Sequence, residues 1–230
     1  MVGVNVSFAV MAHRKREQFV EQLTARLDTE HTVVWDMRND RWDTGRRSLM
    51  AYDREASHHV VIQDDAVLPL GFAQACANIA DVLPDNPVCF YFGAGRRYKT
   101  QMTALYANAK TQRAQFIARQ GPHWGVAVML PTKHIRSVAT FGTQRTDVAN
   151  YDLKIARWYL RNKTLCYYTV PSLVDHRDES KYGPNPSLVE GRSGVGRVAI
   201  EFAGEHSDVS SIVWDISRVV VDRQSTRYYW

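Results

Sequence analysis

A β-branched run that stops abruptly in two adjacent acids constrains this chain more than any other feature. In HHVVIQDDAVLPLGF, residues 58–72, Val60, Val61 and Ile62 lead through Gln63 into Asp64 and Asp65. Three consecutive β-branched residues leave no polar face, so they predict a strand buried on both sides, at the centre of a mostly parallel sheet. Ligands of such sheets gather beyond the carboxyl ends of the strands, which is where Asp64 and Asp65 fall. Two acids there suit Mg²⁺ or Mn²⁺, which completes its shell with phosphate oxygens and water. They equally suit a helix cap, with Asp65 accepting from the N–H groups that follow.

The segments on either side extend this to an α/β architecture. VNVSFAVMA predicts a first strand. HRKREQFVEQLTARL follows with Phe19, Val20, Leu23 and Leu27 at helical spacing, and HTVVWD predicts a second strand. Strand, helix, strand in that order implies parallel pairing through a right-handed crossover. A polar loop over 37–45 and a helix over 46–57 then lead to the central strand. GFAQACANIADVL predicts a helix closed by Pro84, and PVCFYFG, residues 87–93, another strand. Residues 94–122 are basic and weakly helical. WGVAVMLP predicts a buried strand, Pro131 opens a helix, a further helix covers 150–162, and TLCYYTVPSLVDH holds a strand ending near Pro171. Beyond residue 182 a Gly, Pro and Ser-rich stretch gives way to strand-like RVAIEF and SIVWDISRVVV. The expectation is a main domain over 1–182 and a C-terminal extension over 183–230 packing on it.

With 230 residues, 45% of them hydrophobic, the chain can bury a sizeable core. Cys76, Cys89 and Cys166 lack metal-ligand or framework spacing, which argues against zinc and disulfides and fits a reducing compartment. No apolar run approaches the roughly 20 residues of a membrane span, so a soluble, cytoplasmic protein is expected, with no obligate protein partner indicated. The net charge of +5 is unevenly spread: residues 86–146 hold nine Lys or Arg and no Asp or Glu. Arg96, Arg97, Lys99, Lys110, Arg113 and Arg119 belong to this segment, with Tyr98, Tyr106, Phe116 and Trp124 among them. Such a surface suits a polyanion, its cations on phosphates and its aromatics on bases. The other reading is a solvated positive face over core aromatics.

Taken together, AVMAHRKR, VVWD, WDTGRRSL, VVIQDDAV, WGVAVMLP, YDLKIARWYL and PSLVDHRD, over roughly residues 4–178, resemble the glycosyltransferases of the GT-A (Rossmann-like) fold. In order and spacing they are similar to the small bacteriophage enzymes that decorate modified bases in DNA, which would act in the host bacterial cytoplasm. The resemblance implies a nucleotide-sugar donor, UDP-glucose or similar, a Mn²⁺ or Mg²⁺ cofactor, and DNA carrying a 5-hydroxymethyl pyrimidine as acceptor. The family's acidic motif often reads Asp-x-Asp, whereas this chain has Gln63-Asp64-Asp65. By resemblance Asp65 and His176 bind the metal, and Asp64 binds the ribose or supports the metal shell. His13, Arg14, Asp36, Thr44, Arg46 and Arg47 serve the nucleotide, Trp124 and Gly125 wall the donor sugar, and Asp152 is the catalytic base. Thr44, Arg46 and Arg47 are expected where a diphosphate meets a helix N-terminus. Three alternatives stand beside this reading: a glycan or protein acceptor, a non-catalytic nucleic-acid-binding module, and a nucleotidyltransferase, whose Gly-rich phosphate loop AVMAHRKR lacks.

Overall fold

The structure is a computed structural model that describes residues 5–93, 99–121, 124–177 and 197–222. In chain order the elements are β1 (Val6–Ala12), a 3₁₀ turn (Arg14–Arg16), α1 (Glu17–Leu27), β2 (Thr32–Trp35), α2 (Arg41–Met50), β3 (His58–Gln63), β4 (Ala66–Val67) and α3 (Phe72–Val82). Then come β5 (Val88–Cys89), α4 (Lys99–Thr111), β6 (Phe116–Gln120), β7 (Ala127–Pro131), α5 (Thr132–Gln144), α6 (Tyr151–Arg161), β8 (Leu165–Thr169), β9 (Asp175–His176) and β10 (Val219–Val221).

Eight strands form the central sheet in the order β10-β6-β8-β5-β7-β3-β1-β2. β1 is parallel to both β2 and β3, as the strand, helix, strand pattern requires. β5 with β8 and β10 with β6 are also parallel, while β7 runs against β3 and β5, and β6 against β8. Parallel pairings outnumber antiparallel ones, giving the expected α/β sheet with three reversed strands, β7, β6 and β10. Reversal of β7 has a structural consequence: its first residues lie at the end of the sheet where β3 stops.

Val60, Val61 and Ile62 are fully buried. Alternation sends Val60 and Ile62 into the layer of α1 and α3, and Val61 into that of α2, α4, α5 and α6. Each contributes about 1.5–3 kcal/mol by leaving water, so β3 holds the two layers together. Helix α1 buries the predicted Phe19, Val20, Leu23 and Leu27, and ends at Asp28 in the left-handed region at φ 46°.

Three expectations are corrected. The helix expected over 46–57 is α2, Arg41–Met50: Asp40 caps it by accepting from Trp42 and Asp43 N–H at 2.8 and 3.1 Å. Gly45 lies inside that helix because a Cβ there would come within 2.8 Å of the Tyr151 ring. The strand expected over 87–93 forms a ladder only at Val88–Cys89. Residues 94–122 contain a buried strand, β6, which polar Arg119 and Gln120 disguise. The expected boundary at 182/183 falls outside the described residues. Beyond it, β10 pairs with β6, and Asp222 receives the Arg119 guanidinium at 2.9 Å. Among the described residues no helix is long and apolar enough to cross a membrane.

His59, the second residue of the central strand, is fully buried. Its Nε2 donates to Ser48 O at 2.9 Å, leaving Nδ1 to accept from Ser7 Oγ at 2.8 Å. Burial pushes its pKa down to about 4, so the folded chain holds it neutral. Between pH 6.5 and 4 the unfolded chain binds the extra proton and the folded chain does not, so stability falls as the pH drops through that window. The expected loss from this group is about 3 kcal/mol. Urea unfolding from pH 7 to 4 tests it: His59→Gln should flatten the wild-type slope, and an unchanged slope would contradict the assignment.

Candidate functional site

The site starts where β3 ends. Asp64 and Asp65 are buried, and a single guanidinium meets both. Arg16 Nη2 lies 2.9 Å from Asp64 Oδ1, and Nη1 donates to Asp65 Oδ2. The Asp64 contact is a close charge pair without hydrogen-bond alignment, leaving Oδ1 with no aligned donor among the described residues. Its other oxygen accepts from the His13 backbone N–H at 2.6 Å. Burial pushes Asp64 up to about 7; Arg16 opposes the rise and the Asp65 charge adds to it. Two carboxylates facing one guanidinium are under-neutralised, and Asp64 answers by holding its proton to near neutral pH.

A short ladder brings in the distant histidine. β4 follows the acids directly and pairs antiparallel with β9, setting Ala66 opposite His176, while Arg177 N–H donates to Asp65 O at 2.8 Å. His176 Nε2 then lies 3.4 Å from Asp65 Oδ2. Neighbouring ligands of one cation, with bonds of about 2.0–2.2 Å, stand roughly 3.0–3.5 Å apart, so this pair has the spacing of a shared ion. His176 Nδ1 is buried without a partner among the described residues, an orphan of the kind that folded cores avoid. No cluster of three or more His, Cys, Asp or Glu suited to a metal occurs among the described residues. Two protein ligands, with donor oxygens and water completing the shell, fit Mg²⁺ or Mn²⁺.

The expected nucleotide residues divide. Arg14 stacks over Trp35 at 5.4 Å from the ring centroid, a cation–π pair at the carboxyl ends of β1 and β2. Asp36 closes its own loop, Oδ1 accepting from Arg38 and Asp40 N–H at 3.1 and 3.4 Å. The His13 ring caps the 3₁₀ turn by accepting from Lys15 N–H. Thr44, Arg46 and Arg47 are a correction: with Asp40 as cap, they sit in the interior and last turn of α2, away from its N-terminal N–H groups. Thr44 is buried, and Arg47 pairs with Asp43 one turn back at 2.9 Å while bracing helix to sheet by donating to Trp35 O at 2.9 Å. Arg46 is half exposed, 3.8 Å from Asp43.

The opposite wall comes from the approach to β7 and the start of α6. Trp124 is partly buried against Tyr91, Phe92 and Tyr168, with centroids 5.2–6.0 Å away. Tyr151 is the hub: its hydroxyl donates to Gly125 O, and Gln63 N–H donates to Val126 O at 2.8 Å. A Cβ on Gly125 would lie 2.6 Å from the Tyr151 ring and 2.8 Å from the Asp152 Cβ. Gly125 therefore lets the first turn of α6, with Asp152, approach the end of β3. Asp152 is half-buried, and burial raises its pKa, with Arg41 and Arg197 pulling the other way.

Of the basic segment, Arg96 and Arg97 lie outside the described residues. Lys99, Lys110 and Arg113 are exposed. Arg119 is corrected: fully buried and paired with Asp222, it is a core ion pair that no nucleic acid can reach. Arg16, one of three cations in the loop after β1, proves to be the residue on which the acids converge. Tyr151 looked like an ordinary helix residue. Only its place between Gly45 and Gly125, both too crowded for a side chain, marks it.

No protein-family model matches the chain, and no curated protein does. Among solved structures it is similar to a Drosophila beta-1,4-galactosyltransferase 7 mutant in complex with manganese, UDP-Gal and xylobiose. The identity is 11% and the TM-score 0.45, covering 81% of this chain and 76% of that one.

Asp65→Asn and His176→Ala are each expected to weaken Mn²⁺ binding, with UDP present, by at least about tenfold. Electron paramagnetic resonance of free Mn²⁺ measures this. Unchanged binding in both variants would contradict the assignment. Gly125→Ala should destabilise the fold by about 1–3 kcal/mol through overpacking on Tyr151, read by urea unfolding.

Proposed function

We propose that the chain is a metal-dependent glycosyltransferase of GT-A type, moving a sugar from a nucleotide diphosphate, by preference UDP, to a hydroxyl acceptor. The observation that carries this reading is the convergence, at one end of one sheet, of a buried Asp65–His176 pair, a guanidinium on both acids, and a half-buried acid across a glycine. A raised-pKa carboxylate near this corner favours an enzyme over a binding module.

Each residue has a task in this reading. A cation held by Asp65 and His176 would offset charge on the departing diphosphate. Asp64, fixed by the His13 N–H, orients its neighbour and lies within reach of the ribose. Arg16, 16% exposed at its side chain, would turn its fork of donors from the acids to a phosphate once a cation took its place between them. The Arg14–Trp35 stack offers a flat face to the nucleobase, and Trp124 an apolar one to the sugar. Asp152 takes the acceptor's hydroxyl proton, a task that its raised pKa favours.

For the acceptor we propose a 5-hydroxymethyl pyrimidine in DNA. Exposed Lys110 and Arg113, in a segment without acids, support a polyanion. The base would have to leave the stack to reach Asp152, at a cost of a few kcal/mol.

UDP release from UDP-glucose and UDP-galactose in Mn²⁺ tests the class: Asp65→Asn should reduce it at least about 100-fold, and full activity in that variant would overturn the reading. Asp152→Asn should keep UDP affinity within about twofold while slowing transfer to hydroxymethylated DNA by about 10²–10⁴. In the wild type, the acid limb of the rate profile should lie above the ordinary carboxylate range. Labelled sugar on a glycan or protein, and none on DNA, would replace the acceptor and leave the class standing.

A further inference from the structure

A second cationic feature opens on the same rim as the acids, far along the sheet. β7 runs against β3, β5 against β7, and β8 with β5, so β8 ends at the rim where β3 ends. β6 runs against β8, with Phe116 opposite Thr169, and β10 runs with β6, with Val219 opposite Phe116; both begin at that rim. A surface cavity of about 350 Å³ lies there, lined by Lys110, Arg113 and Arg218 over Pro171, Ile212 and Trp214.

Several details give this cavity the character of an anion site. The Arg218 guanidinium is preset, donating through Nε and Nη2 to Arg113 O at 3.0 and 2.7 Å. Arg113 is exposed, and its side chain makes no hydrogen bond or ion pair with the described residues. Lys110 is shared with Glu201 at 2.8 Å, and Asp215, the other acid nearby, is turned to the Ser217 N–H at 2.8 Å. Trp214 is 6% exposed, and its indole N–H is buried with no acceptor among the described residues. Beside it Val213 is 83% exposed, an apolar contact at the cavity's edge.

We propose that this cavity is a phosphate-anchoring subsite for an acceptor that carries a phosphodiester chain. The inference rests on the glycosyltransferase reading and adds where the acceptor is held. β3 and β6 are four strand spacings apart, roughly 19 Å, or about five to six nucleotides along one duplex strand at 3.4 Å each. One strand lying along the rim can therefore present a nucleotide to Asp152 while a phosphate several positions away enters the cavity. A concave, cation-lined pocket with an apolar floor suits a discrete phosphate and its sugar better than a flat lipid surface does.

The test pairs Arg113→Asp with Lys110→Gln in one variant and Arg218→Gln in another. Asp tolerates the left-handed backbone at Arg113, φ 51°, so the first variant is expected to fold. Binding of a fluorescent 12-nucleotide single strand should weaken at least about tenfold in the first variant. The slope of log affinity against log salt should fall by about one per cation removed. Release of UDP from UDP-sugar without acceptor should stay within about twofold of wild type. Unchanged oligonucleotide affinity in both variants overturns the inference, as does tighter wild-type binding to anionic phospholipid vesicles or polyglutamate than to the oligonucleotide. Loss of UDP release in Asp65→Asn is independent of these outcomes, so failure of the subsite and failure of the enzyme reading are distinguishable.

Discussion

Two neighbouring carboxylates cannot be buried at the end of a strand without positive charge between them. Here one guanidinium, Arg16, meets Asp64 and Asp65 together. At an effective dielectric constant of about 20 each close opposite pair is worth a few kcal/mol, and the like pair costs a similar amount. The corner is therefore stable but short of positive charge, and Asp64, pushed up chiefly by burial, is raised further by the neighbouring Asp65 charge. In the proposed reading a divalent cation would make up that shortage, shared by Asp65 and His176, which lie 3.4 Å apart. The same shortage would hold Arg16 in place until something more positive replaced it, and would free it for a phosphate afterwards.

The rest of the fold serves to bring other groups to that corner. The reversed strand β7 delivers Trp124 and Gly125 to the carboxyl end of β3, and the two-residue ladder of β4 with β9 carries His176 across more than a hundred positions of sequence. Gly45 and Gly125 then admit the Tyr151 ring from both sides, which draws α6 and Asp152 inward. The tail contributes too: Arg119 and Asp222 fasten β10 to β6 at the far edge, where Arg218 immediately precedes that strand.

The central strand was legible because Val60–Val61–Ile62 permits no exposed face, and α1 because its four apolar residues fall on one stripe. α6 was legible to within a residue at each end. The start of α2 was not, because a glycine in a polar stretch signals a loop by local rules and only the Tyr151 ring, packed from afar, explains it. β6 was hidden for a related reason: a buried arginine looks polar until its carboxylate is found 103 residues away. Among candidate site residues, Asp64 and Asp65 lie just past the central strand, as the sequence implies, and His176, singled out by resemblance, lies beside Asp65. The convergence of Arg16 on both acids was not legible, since three successive cations look alike until one of them is fixed by geometry. Arg46 and Arg47 followed the misplaced helix start.

The account stands or falls on whether this corner is a cation and diphosphate site. Crystals of the full chain soaked with UDP and Mn²⁺, with anomalous diffraction recorded at the manganese edge, address it directly. The account predicts a manganese peak between Asp65 and His176, in contact with the diphosphate, with Arg16 turned from the carboxylates toward a phosphate oxygen. No peak there, with Arg16 still on both aspartates and UDP bound elsewhere or not at all, would contradict it.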